Sequence, residues 1–328
     1  MTEDVVELAG RLAEDVLYAN AAAVDTGRRD LGRNLDVLAR HGFYGSMLPP
    51  EAGGLGVDAG TAPQLAEVLA AGCLSTTLTL GQHLGISGTV AAKGSPELRR
   101  RWLRGLADGR IRSGAAFTGA MPGPPRLTVR ETSAGYRLEG TAPWVSGWGM
   151  VHVLGTAARD AEDNIVWFLV DAEESATLRV QPHRMLAADA TNTVTVEFTG
   201  HPVPADRLVT VSTRAEHAEG EPFLHRLNGA LALGVARRCV RLLDDDPAWA
   251  AELDSCRADL DAMKDLEVAR ARAAEFAVRA ATACVVHGGS SAVLADSAPQ
   301  RLLREAGLLL VFASRPGIRE ELMHRFEH

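Results

Sequence analysis

The spacing of apolar residues in this sequence changes twice along the chain. The resulting order of helical and strand segments constrains the fold more than any single motif. Apolar residues recur at helical spacing up to about residue 112, alternate at strand spacing after it, and return to helical spacing from Pro222. The middle segment lacks the helical crossovers that parallel strands need, so we expect an antiparallel sheet or barrel there. The order predicts an α+β chain with helices over 1–112, a β domain over 113–212 and a helical bundle over 213–328.

Individual elements follow from the same patterns and from the turn residues between them. The strand patterns cover 126–131, 136–140, 151–158, 164–172, 178–182 and 191–200. Helical runs in the C-terminal part cover 222–244, 247–286 and 298–313, with a short tail helix from Pro316. Because 251–286 contains neither Pro nor Gly, we expect one long helix there, able to form the spine of a bundle.

Composition narrows the function classes. The 328 residues are 46% apolar and 23% charged, which is typical of a globular protein. Asp and Glu outnumber Lys and Arg by 42 to 34, and this acidic balance disfavours a nucleic-acid partner. The four cysteines form no CxxC pair and no histidine has metal-ligand spacing, so we expect no metal site. Without a signal-peptide pattern or a membrane-spanning run, we expect a cytoplasmic protein that does not contact a membrane.

Five strings in chain order resemble the acyl-CoA dehydrogenase superfamily. They are HGFYGSMLPPEAGGLG (41–56), GSPELRRRWLRGLADGRIRSGAAFTG (94–119), LEGTAPWVSG (138–147), MLAADATNTVTVEFTGHPVPADRL (185–208), and HGG (287–289) followed by RLLREA (301–306). The resemblance implies a helical domain, a β domain and a four-helix bundle. It also implies FAD bound between the β domain, the bundle and a neighbouring subunit of a homodimer or homotetramer. The implied substrate is an acyl thioester on CoA or on a carrier protein.

In that family a carboxylate base removes the α-proton of the thioester while hydride passes from the β-carbon to flavin N5. Trp144 and Ser146 match positions beside the flavin. A Trp face packs well on a flavin ring, and a hydroxyl two residues further along a strand lies on the same side and can donate toward N5. Phe117 and Thr118 match a flavin-binding turn. The alternatives are a core Trp, a surface Ser and an ordinary Pro/Gly loop.

The positions that match the other end of the dinucleotide carry more departures from the family pattern. Gly123 matches a glycine near the pyrophosphate, but Pro124 and Pro125 follow it, and Pro has no N–H for a phosphate oxygen.

His287, Gly288 and Gly289 match a segment that touches the dinucleotide of the neighbouring subunit. A simple helix end at this segment explains the glycines equally well. Where the family has an Arg-x-x-Phe-Gly motif, this chain has three consecutive aspartates at 244–246, which would repel a pyrophosphate. The bundle also resembles a shortened version of the family's.

The usual catalytic base is missing. Counting along the matching segment places the family's catalytic Glu at Ala313, which cannot accept a proton. Some family members place the base on the first bundle helix before an Arg, and His225 precedes Arg226 here. An alignment from Gly234 puts Leu224 there instead. His225 is therefore the candidate catalytic base, with a capping or solvated His as the alternative. Glu305 is expected to form an ion pair.

Three hypotheses remain from the sequence. The first is a flavoenzyme that oxidises an acyl thioester. The second is a flavin-dependent monooxygenase on the same scaffold, which loss of the Glu at position 313 favours. The third is a relative without cofactor that acts as a partner subunit or as a non-redox enzyme, which the altered ADP-end positions favour.

Overall fold

The N-terminal part of the chain is helical in the computed structural model, which describes residues 4–121 and 123–327. Its helices are α1 (Val5–Leu12), α2 (Ala19–Asp25), α3 (Gly32–Arg40), α4 (Ala62–Gly72), α5 (Leu74–Lys93) and α6 (Pro96–Ala107), and a π-helical stretch, Ala13–Tyr18, joins the first two. The start of α6 follows from its sequence, because the Ser95 side chain accepts a hydrogen bond from the Leu98 N–H at 3.1 Å and Pro96 occupies the first turn.

One sheet forms the middle of the chain. Its strands are β1 (Ser113–Ala116), β2 (Leu127–Thr132), β3 (Gly135–Val145), β4 (Val153–Arg159), β5 (Ile165–Asp171), β6 (Leu178–Pro182), β7 (Val194–Val203) and β8 (Leu208–Ser212). The order is β6-β7-β3-β2-β4-β5-β8, and β1 pairs with β4 outside this path. The six predicted strands are present, whereas the pattern missed β1 and β8.

The sheet is mixed rather than purely antiparallel. Among the described residues, five strand pairings are antiparallel, but both β1 and β2 run parallel to β4. The expectation of an antiparallel sheet rested on the absence of a helical crossover. Here the connection from β1 to β4 contains the β2–β3 hairpin instead, and this is long enough to return the chain to the same end of the sheet.

The C-terminal part is a helical bundle. Its helices are α7 (Arg214–Ala218), α8 (Glu221–Leu242), α9 (Pro247–Asp261), α10 (Leu266–Gly288), α11 (Ala298–Val311) and α12 (Pro316–Glu327). The predicted fold class, helices then a sheet then helices, is confirmed. None of these helices, nor any other in the described part of the chain, is long and apolar enough to cross a membrane.

The prediction of one helix over 247–286 was wrong, because the chain turns between α9 and α10. Met263 and Asp265 have left-handed backbone angles, φ 53° and 45°, which no α-helix continues through. A straight helix over this span would be about 60 Å long, at roughly 1.5 Å per residue, and would extend far beyond the 22-residue α8. Turning back lets both α9 and α10 bury their apolar faces in the core they share with α8.

A buried carboxylate connects the N-terminal helices to the bundle. Helix α8 packs closely on α4, since a Cβ at Gly234 would lie 2.5 Å from the Glu67 carbonyl oxygen. The Glu67 side chain, 2% exposed, accepts two hydrogen bonds from Arg257 of α9, at 2.8 and 2.9 Å. Arg257 also pairs with the exposed Asp254. The bidentate pair with Glu67 is therefore the desolvated contact, and the pair with Asp254 is the solvated one.

Removing one charge from the desolvated pair is expected to destabilise the fold. Glu67→Gln leaves the Arg257 guanidinium without its buried carboxylate, so the free energy of unfolding should fall by about 3 kcal/mol. Asp254→Asn removes the exposed partner of the same guanidinium, and should cost less than about 1 kcal/mol. Denaturant unfolding of both variants measures the difference. Equal losses would contradict the assignment of the buried pair as the stabilising one.

His83 connects helices α5 and α6 to the first strand. Its Nε2 lies 3.1 Å from the Leu106 carbonyl oxygen and its Nδ1 accepts from the Ser113 N–H, also at 3.1 Å. This arrangement needs the neutral ring with its hydrogen on Nε2. Complete burial lowers the pKa of His83 to about 4.

This buried histidine should make stability depend on pH. The unfolded chain binds a proton to His83 near pH 6.5 whereas the folded chain resists it down to about pH 4, so stability is lost as the pH falls between these values. The loss should reach roughly 3 kcal/mol at pH 4. In His83→Gln, urea midpoints measured from pH 7 to pH 4.5 should fall less steeply, whereas the exposed His41→Gln should follow the unaltered protein. Parallel pH profiles for all three proteins would refute this contribution.

Candidate functional site

The structure brings the two predicted flavin-facing segments together at one edge of the sheet. Phe117 and Thr118 form the turn that leaves β1, and Gly119 follows them. The turn lies directly on β3, because a Cβ at Gly119 would come within 2.3 Å of the Thr141 carbonyl oxygen. A Cβ at Gly114 of β1 would lie 3.0 Å from the carbonyl oxygen of Ser146. Backbone contact therefore fixes the 117–119 turn beside the end of β3.

Trp144 is exposed at this edge in an unusual backbone conformation. Its φ is 62°, and the pairing of β3 with β7 shifts register between Ala142 and Val145. The indole is 56% exposed, with the His183 ring as a neighbour at 5.2 Å between ring centroids. Left-handed backbone at a bulky residue costs of order 1–3 kcal/mol and is typical of functional sites. The indole is thus placed outward with an open face.

The register shift in β3 also determines which atoms surround the Ser146 hydroxyl. Trp144 and Ser146 would lie on the same side of a regular strand. Here the register shift interrupts the alternation of side chains, and β3 ends at Val145. The Ser146 hydroxyl lies 2.8 Å from that of Thr193, which lies 2.8 Å from that of Thr191. Thr191 donates its hydrogen to the Ala188 carbonyl. Each hydroxyl has one hydrogen, so Thr193 donates to Thr191 and Ser146 donates to Thr193.

Consequently Ser146 presents acceptor lone pairs, and not a free donor, toward any group at this edge. The expectation that it donates toward a flavin nitrogen would require breaking this hydroxyl relay. The isoalloxazine part of a flavin fits the open indole face and the adjoining turn, and the relay offers it an acceptor.

The positions expected near the pyrophosphate do not form a phosphate cradle within one chain. The Gly123 carbonyl accepts from the Arg159 guanidinium at 2.6 Å, so that cation is already engaged. His287 and Gly288 end α10, and Gly289 has φ 58° with open space around its Cα. The nearest ion-pair partner of His287 is Asp244, at 3.8 Å.

Asp244 begins an acidic turn that would repel a pyrophosphate, as the sequence predicts. One function of this turn is structural, since the Asp246 carboxylate accepts from the Ala248 N–H and caps α9. These residues therefore do not fit the phosphate end of a dinucleotide within a single chain, in contrast to the residues at the sheet edge.

Ala313, at the expected base position, lies in a turn fixed by a buried guanidinium. Its φ is 46°, and Arg270 of α10 donates hydrogen bonds to its carbonyl at 2.9 Å and to that of Phe312. Burial, followed by repulsion from Arg315, lowers the pKa of Arg270 to about 10. Glu305 pairs with Arg301 at 3.1 Å in the core, which confirms its expected structural role.

His225, the candidate base, is buried on α8 close to this turn. No hydrogen-bond partner reaches its Nδ1. Burial lowers the pKa of His225, and the positive charges of Arg270 and Arg315 lower it further. The ring is therefore neutral at pH 7 and has a lone pair able to accept a proton. Leu224, the alternative from the shifted alignment, is exposed and has no titratable group.

A cavity of about 390 Å³ opens one helical turn away from His225, between the sheet and the bundle. Met121 lines it from the turn after β1, Arg214 and His217 from α7, Glu221 from the start of α8, and Arg315 from the chain just before α12. Glu221 and Arg315 form an ion pair at 3.0 Å. Sequence reasoning missed this set because its members come from four separate segments. The one available signal was the capping box that begins at Thr213 and starts α7.

Comparison with known proteins agrees with this architecture. Residues 2–110 match the family model of the acyl-CoA dehydrogenase N-terminal domain. A mitochondrial very long-chain specific acyl-CoA dehydrogenase from Rattus norvegicus is 25% identical over 226 residues, which cover 63% of this chain and 34% of the relative. The chain thus spans about a third of the length of the first curated relatives that it matches.

Solved structures are similar over the whole chain. A glutaryl-coenzyme A dehydrogenase in complex with glutaryl-CoA has a TM-score of 0.86 at 16% identity, covering 100% of this chain and 96% of that one. An FMN-bound TdsC from Paenibacillus sp. A11-2 has a TM-score of 0.83 at 18% identity, covering 98% and 96%. At these identities the structural likeness defines the fold.

Proposed function

The chain belongs to the acyl-CoA dehydrogenase superfamily, and from that premise we propose that it is an FAD-dependent oxidoreductase acting on an acyl thioester of CoA or of a carrier protein. The observation that carries this proposal is the outward, left-handed Trp144 with its open indole face beside the 117–119 turn. Strain at an exposed aromatic residue is retained where it serves a ligand.

Each flavin-end residue has a distinct part in the proposal. Trp144 packs its indole on the ring system, while Phe117 and Thr118 contact its edge from the turn after β1. Ser146 contributes the acceptor oxygen of the hydroxyl relay. When bound, the flavin supplies the two-electron oxidation of the acyl chain. Gly123, His287, Gly288 and Gly289 are assigned to the ADP end, where a second subunit has to supply the positive charge.

Proton removal from the acyl α-carbon is assigned to His225. Ala313 cannot perform it, and His225 is a neutral imidazole on α8, one helical turn from Glu221 of the cavity wall. Glu221 is the competing group on the same helix, because it lines the cavity directly, although Arg315 engages its carboxylate. The positive charge of Arg270 near His225 favours the negative charge that develops on the thioester oxygen.

A monooxygenase is the second candidate, and a specific observation favours it. In a dehydrogenase, a hydrogen-bond donor at N5 of the oxidised flavin is favourable. The hydroxyl relay, however, leaves Ser146 with acceptor lone pairs only. An acceptor suits a reduced ring, which carries a hydrogen at that nitrogen. NADH-dependent oxygen consumption with supplied reduced flavin, coupled to formation of an oxygenated product, distinguishes this activity from dehydrogenation. A non-redox relative without cofactor is the remaining alternative.

A homodimer, or a tetramer built from it, is part of the proposal. The bundle exposes large apolar side chains, among them Val286, Val293, Leu294, Val311 and Met323. Apolar residues exposed in this number on one domain are typical of an interaction surface. A second copy that covers Val286, Val293 and Leu294 at the end of α10 would also bring the adjacent glycines to a neighbouring subunit.

Flavin binding tests the role of the indole. Trp144→Ala should weaken FAD binding roughly 10-fold or more, because it removes the aromatic surface on which the ring packs. Its effect on the unfolding free energy of the apoprotein should stay within about 0.5 kcal/mol, since the side chain is largely exposed. Val211→Ala, exposed on the far strand β8, is the matched control. Flavin fluorescence titration measures the affinities.

Two results would contradict the flavin proposal. One is an unaltered affinity in Trp144→Ala. The other is a colourless purified protein that gains no thermal stability with excess FAD, because a ligand that binds the folded state must raise its stability.

Deuterium exchange tests the base. His225→Gln should slow exchange of the α-protons of butyryl-CoA in D2O by about 100-fold or more, as expected for loss of a general base. Glu221→Gln should change the rate by only a few-fold, since Arg315 engages that carboxylate. NMR of the butyryl-CoA pool measures both rates with the flavin-loaded protein. If Glu221→Gln abolishes exchange and His225→Gln does not, Glu221 is the base.

A further inference from the structure

The cavity between the sheet and the bundle carries positive charge that its own acidic residues do not match. Arg214 faces Asp163 at 3.6 Å, but that carboxylate already pairs with Arg159 at 2.8 Å. Arg214 is therefore the weaker partner of a shared carboxylate, and its half-exposed side chain lines the rim of the cavity.

Another guanidinium, that of Arg270, lies near Arg315 but does not line the cavity. Arg270 donates hydrogen bonds to the carbonyls of Phe312 and Ala313. Burial, followed by repulsion from Arg315, lowers the pKa of Arg270, and the attraction of Glu267 partly opposes this effect. Glu221 is the one carboxylate among the residues that line the cavity, and it faces Arg315 alone.

Histidines do not account for this charge. Burial lowers the pKa of His217; the attraction of Glu221 opposes the effect, and Lys93 and Arg315 reinforce it. The neighbouring His225 is neutral for the same reason. The cavity therefore holds permanent guanidinium charges, and an anion is the ligand that such a lining favours.

We propose that this cavity binds the carboxylate, or an acid group of the same shape, at the far end of the acyl chain of the substrate, with Arg315 as its principal contact and Arg214 at the rim. The assignment rests on the proposed acyl-thioester function. It makes the substrate a thioester of a dicarboxylic acid or a similar diacid, and Arg315 the residue that selects it.

Location supports the acyl end over the phosphates of CoA, which offer the same anionic oxygens. Met121, on the cavity wall, lies two residues beyond the turn that positions Phe117, Thr118 and Gly119 beside Trp144. Arg315 lies two residues beyond Ala313, the position where the family places its base. The anion site therefore adjoins, along the chain, both the flavin-facing turn and the position where the resemblance places the base, and we assign it to the acyl end.

When no substrate is present, Glu221 occupies the Arg315 guanidinium through their ion pair. Both side chains are partly exposed, 22% for Arg315 and 35% for Glu221, and such pairs are weak and exchange readily. A substrate carboxylate displaces Glu221, which accepts a single hydrogen bond from Arg315, and forms a bidentate contact that a lysine could not offer. Glu221 thus competes with the substrate, and its removal should strengthen binding of an acid and not of a neutral chain.

The test compares glutaryl-CoA with valeryl-CoA, which has five acyl carbons and no terminal acid, by calorimetry on the flavin-loaded protein. The unaltered protein should bind glutaryl-CoA roughly 10-fold or more tightly than valeryl-CoA, as expected for a charge-assisted contact. Arg315→Gln should bring that ratio close to one, and Glu221→Gln should raise it. Arg319→Gln, exposed on α12, is the matched control and should leave the ratio unchanged.

Equal affinities for the two thioesters in the unaltered protein overturn the inference and leave the acyl-thioester function standing. So does a loss in Arg315→Gln that is as large for free CoA as for glutaryl-CoA, since the cavity then holds CoA phosphates. If Arg315→Gln does not fold, the opposite effect expected for Glu221→Gln decides the outcome.

If the proposed function is wrong, neither glutaryl-CoA nor valeryl-CoA binds. Free glutarate and free valerate then decide the inference alone, through the thermal stability of the protein. Stabilisation by glutarate that Arg315→Gln removes supports the anion site, and no stabilisation by glutarate overturns it.

Discussion

The functional region depends on one interaction, the hydrogen bonds from the Arg270 guanidinium to the first two carbonyls after α11. Those carbonyls, of Phe312 and Ala313, follow α11, where backbone acceptors have no partner within the helix. A positive charge there is favoured by the helix dipole, which explains how an arginine is buried without a carboxylate. These hydrogen bonds fix the left-handed turn at Ala313, and this turn directs Arg315 into the cavity wall.

The charge around this turn determines what chemistry the site favours. The position expected for a catalytic carboxylate is Ala313, and the nearby groups are the guanidinium groups of Arg270 and Arg315, a neutral His225, and the carboxylates of Glu221 and Glu267. Such a site attracts and stabilises negative charge, whereas it resists forming an imidazolium among guanidinium groups. Anion recognition at Arg315 and a weak base at His225 are thus two consequences of one arrangement, and bound acid would lower the cost of protonating His225.

The sequence alone specified those features that arise from local periodicity. The order of helices and strands, six of the strands and the Ser95–Pro96 helix start follow from spacing and capping. The break at Met263 does not, since the residues around it favour helix and the length of α8 decides where the chain turns. Strand β1, Ser-Gly-Ala-Ala, is buried on both faces and shows no alternation.

The same distinction applies to the site. Trp144 and Ser146 could be named from a motif, but the hydrogen bond of the Ser146 hydroxyl depends on pairing of β3 with β7 and on Thr193, 47 residues away. The cavity could not be predicted because Met121, Arg214, Glu221 and Arg315 meet only when sheet and bundle pack together. Motifs therefore indicate which residues meet a ligand, and the packing of distant elements determines which atoms they present.

The two ends of the proposed ligand-binding region differ in the sign of their charge. The chain places guanidinium groups at the cavity and three consecutive aspartates near the end of α10, although its overall charge is −8. Net charge therefore does not predict the preference of the cavity, because a short-range field from Arg214, Arg270 and Arg315 dominates within it. The aspartates, in contrast, leave the phosphate end of a dinucleotide without a favourable partner in the same chain. Under the proposed function, tight binding of FAD would require positive charge from a second subunit, and cofactor affinity would then be thermodynamically linked to assembly.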